Sequence, residues 1–204
     1  AAGNVSEVSN TVSVTTLVTA TGASDLFISE YIEGTSNNKA IEIANYTGNS
    51  INLGLYSIKK QVNGAGSWVN ELVLSGTLNN QSVYVIANSI ANSTILALAQ
   101  RTSGAPIDFN GNDPVGLFKN GILIDIVGVF NGGSTDFAAN TTLRRKSTIT
   151  SPNTTYSTIE WDSYSVDTIN GLGNHAITLS VNEYLNRKFN IYPNPTSNQS
   201  IYIT

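Results

Sequence analysis

The sequence predicts an all-β sandwich carrying one short helix. Three observations carry that expectation. Between Asp25 and His175 the chain runs in short apolar stretches of period two, broken by turn residues at sandwich-like spacing. Asn120-Gly121 separates two such stretches and supplies the two positive-φ residues of a type I′ hairpin. Only "NSTILALAQ" (92–100) reads as a helix, with Asn92 or Ser93 as its cap, Ile95, Leu96 and Leu98 to pack, and Gly104 to stop it. That shortage of helix disfavours a parallel α/β fold.

In chain order, residues 1–24 are rich in Ser, Thr and Val, with alternation in "TVSVTTLVT", and read as a linker or an edge strand. "LFISEYI" follows, and strict alternation places Leu26, Ile28, Glu30 and Ile32 on one face. "AIEIANY" sets Ile41 and Ile43 against Glu42. "LYSIKKQV", "WVNELVL" and "SVYVIAN" continue the pattern up to the helix. After it come the "VGLFKNGILIDIVGVF" hairpin and two late strands, "LRRKSTI" and "IEWDSYSV". Residues 176–188 read as a connector, and 189–204 begin something new: Pro193 and Pro195 fix φ and push Tyr192 and Asn194 into extended geometry ahead of "SIYIT".

Charged residues make up 12 % of the chain against 40 % apolar, so Asn, Ser, Thr and Gly must supply the polar surface, as in a loop-rich secreted protein. A net charge of -4 gives no basic footprint for nucleic acid. The absence of Cys rules out disulfides, thiolate metal sites and Cys nucleophiles. No apolar run is long enough for a spanning helix, and "AAGNVSEV" has no signal-peptide character. Without even an initiator Met, the numbering is expected to begin inside a mature chain.

Four groups invite a chemical reading. His175 is the sole histidine, and with no G-x-S-x-G elbow present it reads as structural, so no catalytic residue is expected. "DFNGND" places Asp108, Asn110 and Asn112 at alternate positions, a calcium pattern, but Asp113 stands where an EF-hand needs glycine and Lys119 where it needs glutamate. An Asx-rich turn is the preferred reading, with a non-EF calcium site as the candidate cofactor site. Glu30, Glu33 and Glu42 lie on neighbouring strands. Glu30, on an apolar face, needs a partner from Lys39, Arg144 or Arg145, and Glu30 with Glu42 forms a second metal candidate. "LRRK" (143–146) reads as a solvated or ion-paired edge strand, and Trp68, Trp161, Tyr164 and Tyr156 as packing residues before a sugar platform.

With these pieces in order, "DLFISEYIEGTSNNKAIEIANYTG", "LGLYSIKK", "VYVIAN", "FNGNDPVGLFKNG", "TLRRKSTI", "EWDSY" and "GLGNH" resemble the bacterial lamin-tail domain over residues 25–175. The resemblance implies an immunoglobulin-like antiparallel β-sandwich. "FNIYPNPTSN" is similar to the opening of the type A C-terminal sorting domain of Bacteroidetes-type bacteria, which implies export by type IX secretion, with Tyr192, Pro193, Asn194 and Pro195 as signal residues. Asp167-Thr168-Ile169 resembles the O-glycosylation sequon of that group.

The expected protein is therefore a non-catalytic binding or spacer module at the cell surface or outside the cell. Its partners would be the type IX translocon and its outer-membrane components through the tail, and a surface ligand or adjoining domain through the sandwich. Two alternatives stand beside it: the accessory domain of a larger extracellular nuclease or other hydrolase with its catalytic domain upstream, and a calcium-stabilised adhesion domain.

Overall fold

The computed structural model describes residues 22–178. The segments 1–21 and 179–204, with most of the expected linkers 1–24 and 176–188 and the signal residues Tyr192, Pro193, Asn194 and Pro195, lie outside the described residues. In chain order the elements are β1 (Phe27–Glu33), β2 (Lys39–Asn45), β3 (Ile51–Asn52), β4 (Tyr56–Lys60), β5 (Val69–Val73), β6 (Thr77–Leu78), β7 (Ser82–Asn88), α1 (Ser93–Leu98), β8 (Arg101–Ser103), β9 (Val115–Lys119), β10 (Ile122–Val127), β11 (Thr141–Arg145) and β12 (Trp161–Ser165). A six-stranded sheet in the order β12-β11-β1-β2-β7-β8 faces a four-stranded sheet in the order β10-β9-β4-β5, and β3 pairs with β6. The predicted immunoglobulin-like sandwich with one short helix is the fold observed.

Local sequence accounts for the clearest elements. Asn92 caps α1, its side-chain oxygen accepting the Ile95 N–H at 2.9 Å, and Ile95 is buried beneath it. Asn120 and Gly121 take φ of 50° and 78° and turn β9 into β10, as the dipeptide predicts. Ile28, Tyr31, Ile41, Ile43, Ile58 and Leu117 meet in the layer between the sheets. Full burial of each such side chain contributes about 1.5–3 kcal/mol.

Two expectations require correction. Leu26 and Ile28 do not share a face with Glu30 and Ile32. The register between β1 and β2 slips between Ile28 and Glu30, so Ser29 is an extra residue and Tyr31 takes the inward position. Ile32 packs on the opposite, outer face with Ala40, Val85, Ile95 and Leu172. Secondly, "LRRK" is no edge: β11 lies inside its sheet, between β12 and β1.

That interior placement buries Arg145. Its guanidinium lies 4.7 Å from the centre of the Trp161 ring and meets Asp125 of the opposite sheet at 2.5 Å and Glu160 at 2.6 Å. Both Arg145 and Asp125 side chains are at most 1 % exposed. Removing one partner strands the other charge in the interior. Arg145→Met, or Asp125→Asn, is expected to destabilise the protein by about 3–5 kcal/mol. The double variant should cost clearly less than the sum of the two single losses. Urea unfolding of the three variants checks both statements.

Candidate functional site

The candidate residues gather on the outer face of the six-stranded sheet. Because of the Ser29 bulge, Glu30 stands in register with Glu42 on one side and Arg144 on the other. Two carboxylates and one guanidinium thus lie side by side across three strands. Arg144 Nε is 3.2 Å from Glu30 Oε1, and the Arg144 guanidinium stacks 4.4 Å from the centre of the Tyr164 ring. Ser29 donates its hydroxyl to Glu42 at 2.6 Å.

The segment after β12 straps this row down. Asp167 accepts from the Thr35 N–H at 3.0 Å, the Thr35 hydroxyl at 2.7 Å and the Asn38 amide at 3.0 Å. Asn170 accepts from Arg144 at 2.6 Å, and the Gly173 N–H donates to Glu42 at 2.6 Å. Gly171 crosses so close that a Cβ there would lie 2.3 Å from Arg144 Nε and 2.8 Å from a Glu30 oxygen. Only glycine fits. Within the Asp-Thr-Ile stretch, Asp167 clamps the strap and Ile169 packs against the apolar cluster under it.

Covered in this way, Glu30 is 2 % exposed, and burial pushes its carboxyl up to about 7 despite Arg144, with Glu42 adding repulsion. Burial also raises Glu42. His175 closes the strap from the side. Its ring stands edge-on to Phe27 at 5.5 Å and to Tyr46 at 6.0 Å, its carbonyl accepts from the Tyr46 hydroxyl, and burial drives the imidazole down to about 4. The result is a neutral ring fixed by packing. It borders a shallow cavity of about 280 Å³ between the strap and β7.

The other candidates lie elsewhere. Asp108, Asn110, Asn112 and Asp113 occupy the loop between β8 and β9, and a cation already stands there: Lys60 Nζ is 2.7 Å from Asp108 and 3.5 Å from Asp113. Asp113 also accepts the N–H groups of Asn63 at 2.6 Å and Asn110 at 3.2 Å, and Asn110 accepts from the Asn112 N–H at 3.3 Å, an Asx turn. Lys39 pairs with Glu33, not with Glu30. The four aromatic residues separate. Trp161 is buried beside Arg145, Tyr164 lies on Arg144, Tyr156 stands against Phe137, and Trp68 stacks on Phe130 at 5.0 Å. Sequence reasoning misses the Ser29 contact and Lys60, and neither leaves a periodic signal. The strap has a visible signal in the paired glycines of "GLGNH".

Two outcomes follow from the charges. The native Glu30 carboxyl holds a proton between about 4.5 and about 7 that the unfolded chain releases. Its effect favours the native state at low pH and is lost as pH rises through that window. Glu30→Gln is expected to gain stability relative to the wild type between about pH 5 and about pH 8, by about 1–3 kcal/mol, in urea melts at each pH. Since Lys60 fills the cation position, a calcium chelator should leave the melting temperature unchanged, whereas Lys60→Ala should lower stability by about 1–3 kcal/mol.

A family model for the lamin tail domain matches residues 19–131, more than half of the 204-residue chain. No curated protein matches the sequence. β11 and β12, beyond the matched stretch, complete the sheet that β1, β2 and β7 begin. With the sandwich and its strand order on view, the match places this chain in the lamin tail domain family.

Proposed function

We propose that this chain is a non-catalytic binding or spacer module of a secreted or cell-surface protein that leaves a Bacteroidetes-type cell by type IX secretion. One observation carries the non-catalytic half of the reading: among the described residues, the buried carboxylates are already committed. Asp125 is held by Arg145 and two backbone N–H groups, Glu42 by Ser29 and Gly173, and Asp113 by Lys60 and two backbone N–H groups, while Glu30 meets Arg144 through charge alone and is closed over by Gly171. His175 is neutral and wedged between aromatic rings. A general acid or base must face a reacting atom, and these groups face one another. Membership of the lamin tail domain family supports the same reading.

The export half rests on the resemblance of "FNIYPNPTSN" to the start of a type A sorting domain. The translocon and its outer-membrane partners would receive the tail, and the sandwich would meet a surface ligand or an adjoining domain. Deletion of residues 192–198 from the full-length protein in a type IX-competent host is expected to abolish surface delivery, read by protease accessibility on intact cells. Undiminished delivery refutes the export signal.

A further inference from the structure

β7 is paired unequally on its two sides. β2 covers one side from Ser82 to Ala87, whereas β8 reaches only Ile86, Ala87 and Asn88 on the other. Immediately before β8, Gln100 stands in for a strand. Its backbone N–H donates to the Val85 carbonyl at 3.0 Å, and its side-chain oxygen accepts the Val85 N–H at 2.7 Å. Backbone groups alternate sides along a strand, so the N–H and C=O of Val83 point the same way as those of Val85. No strand among the described residues meets them there.

That opening forms one wall of the cavity of about 280 Å³, with Gln81, Gln100, Asn174 and His175 around it. The lining is rich in amides and contains no Asp, Glu, Lys or Arg. Sheet edges are ordinarily guarded by charge, proline or a bulge. Here Arg101 stands on β8, and the half-buried stretch Ser82–Tyr84 of β7 carries no such guard. The Val83 side chain packs with Phe27 and Ala44, so the open backbone is held in place by the sheet beneath it.

We propose that the open half of β7 is a docking edge for an extended, uncharged peptide strand of a partner protein, added at Val83 in line with β8. The groups that no described strand meets are a main-chain donor and acceptor at strand spacing, which is what another strand satisfies. Gln100 performs the same pairing one repeat further along with an amide N–H and an amide oxygen. The neutral walls select against charged segments, since a desolvated charge there would find no counter-ion. Hydroxyl or amide side chains on the docked strand would meet Asn174 and Gln81. This inference rests on the binding-module reading and names its surface.

The test uses the full isotope-labelled chain and a blocked Thr-Val repeat octapeptide as probe. In the free protein the Val83 amide should exchange with solvent at least about tenfold faster than that of Val85, and near-saturating peptide should slow it by about tenfold. Val83→Pro removes the donor at a position where an outward-facing proline is tolerated, and should weaken peptide binding by about tenfold. Protection of Val83 in the free chain, no change in its exchange with millimolar peptide, or undiminished binding by a folded Val83→Pro variant overturns the proposal. Shifts at the cavity with a soluble oligosaccharide and none with the peptide overturn it equally. Those failures leave a binding module without this edge, whereas substrate turnover by the described domain would sink the module reading and leave the edge intact.

Discussion

The Arg145–Asp125 pair holds the two sheets in register, and much of the surrounding structure follows from it. Arg145 comes from β11 of the six-stranded sheet and Asp125 from β10 of the facing one. Between them lies Ile28, just before the Ser29 bulge, where β11 no longer pairs with β1. The Ile28 N–H donates to Asp125 at 2.6 Å, and its carbonyl accepts from Arg145 at 3.2 Å. The ion pair thus replaces the missing ladder at this residue, satisfying both backbone groups while each charge satisfies the other. β10 carries its own slip between Leu123 and Asp125, beside the carboxylate that reaches across. These two slips, one from each sheet, therefore meet at one ion pair.

The bulge also organises the outer face. One extra residue in β1 turns Tyr31 inward and sends Glu30 outward beside Glu42 and Arg144. Three charged side chains in a row on a sheet would ordinarily stay in water. Here the chain returns over them, with Gly171 on the ion pair, Leu172 in the apolar cluster, and the Gly173 N–H on Glu42. The elevated Glu30 carboxyl is a consequence of that cover.

The elements that could be read from the sequence are those decided by neighbours in the chain. Asn92 caps its own helix, Asn120-Gly121 makes its own turn, and Ile41 and Ile43 alternate around Glu42 because all lie in one unbroken strand. What could not be read depends on distant partners. Ser29 looks like any strand residue until Glu42 and Asp125 are in place, so alternation puts Glu30 on the wrong face of Ile28. "LRRK" looks like an edge because its outer neighbour, β12, arrives only after a loop of fifteen residues, Lys146–Glu160. The calcium pattern of the 108–113 loop is genuine as spacing, yet Lys60, on another strand, decides what those oxygens hold.

These placements divide the molecule by polarity. Buried charge is paired internally: Arg145 with Asp125 and Glu160, Arg144 with Glu30, Lys60 with Asp108 and Asp113, Lys39 with Glu33. A group already satisfied in this way gains little from an incoming ligand, because any new contact must first replace the old one. Among the described residues, neutral hydrogen-bonding capacity lies where amide side chains border the stretch of β7 that β8 does not reach. On the proposed reading, recognition would run through backbone and amide groups. Such recognition needs no charge on the partner and depends little on salt, as the screening of exposed charges requires.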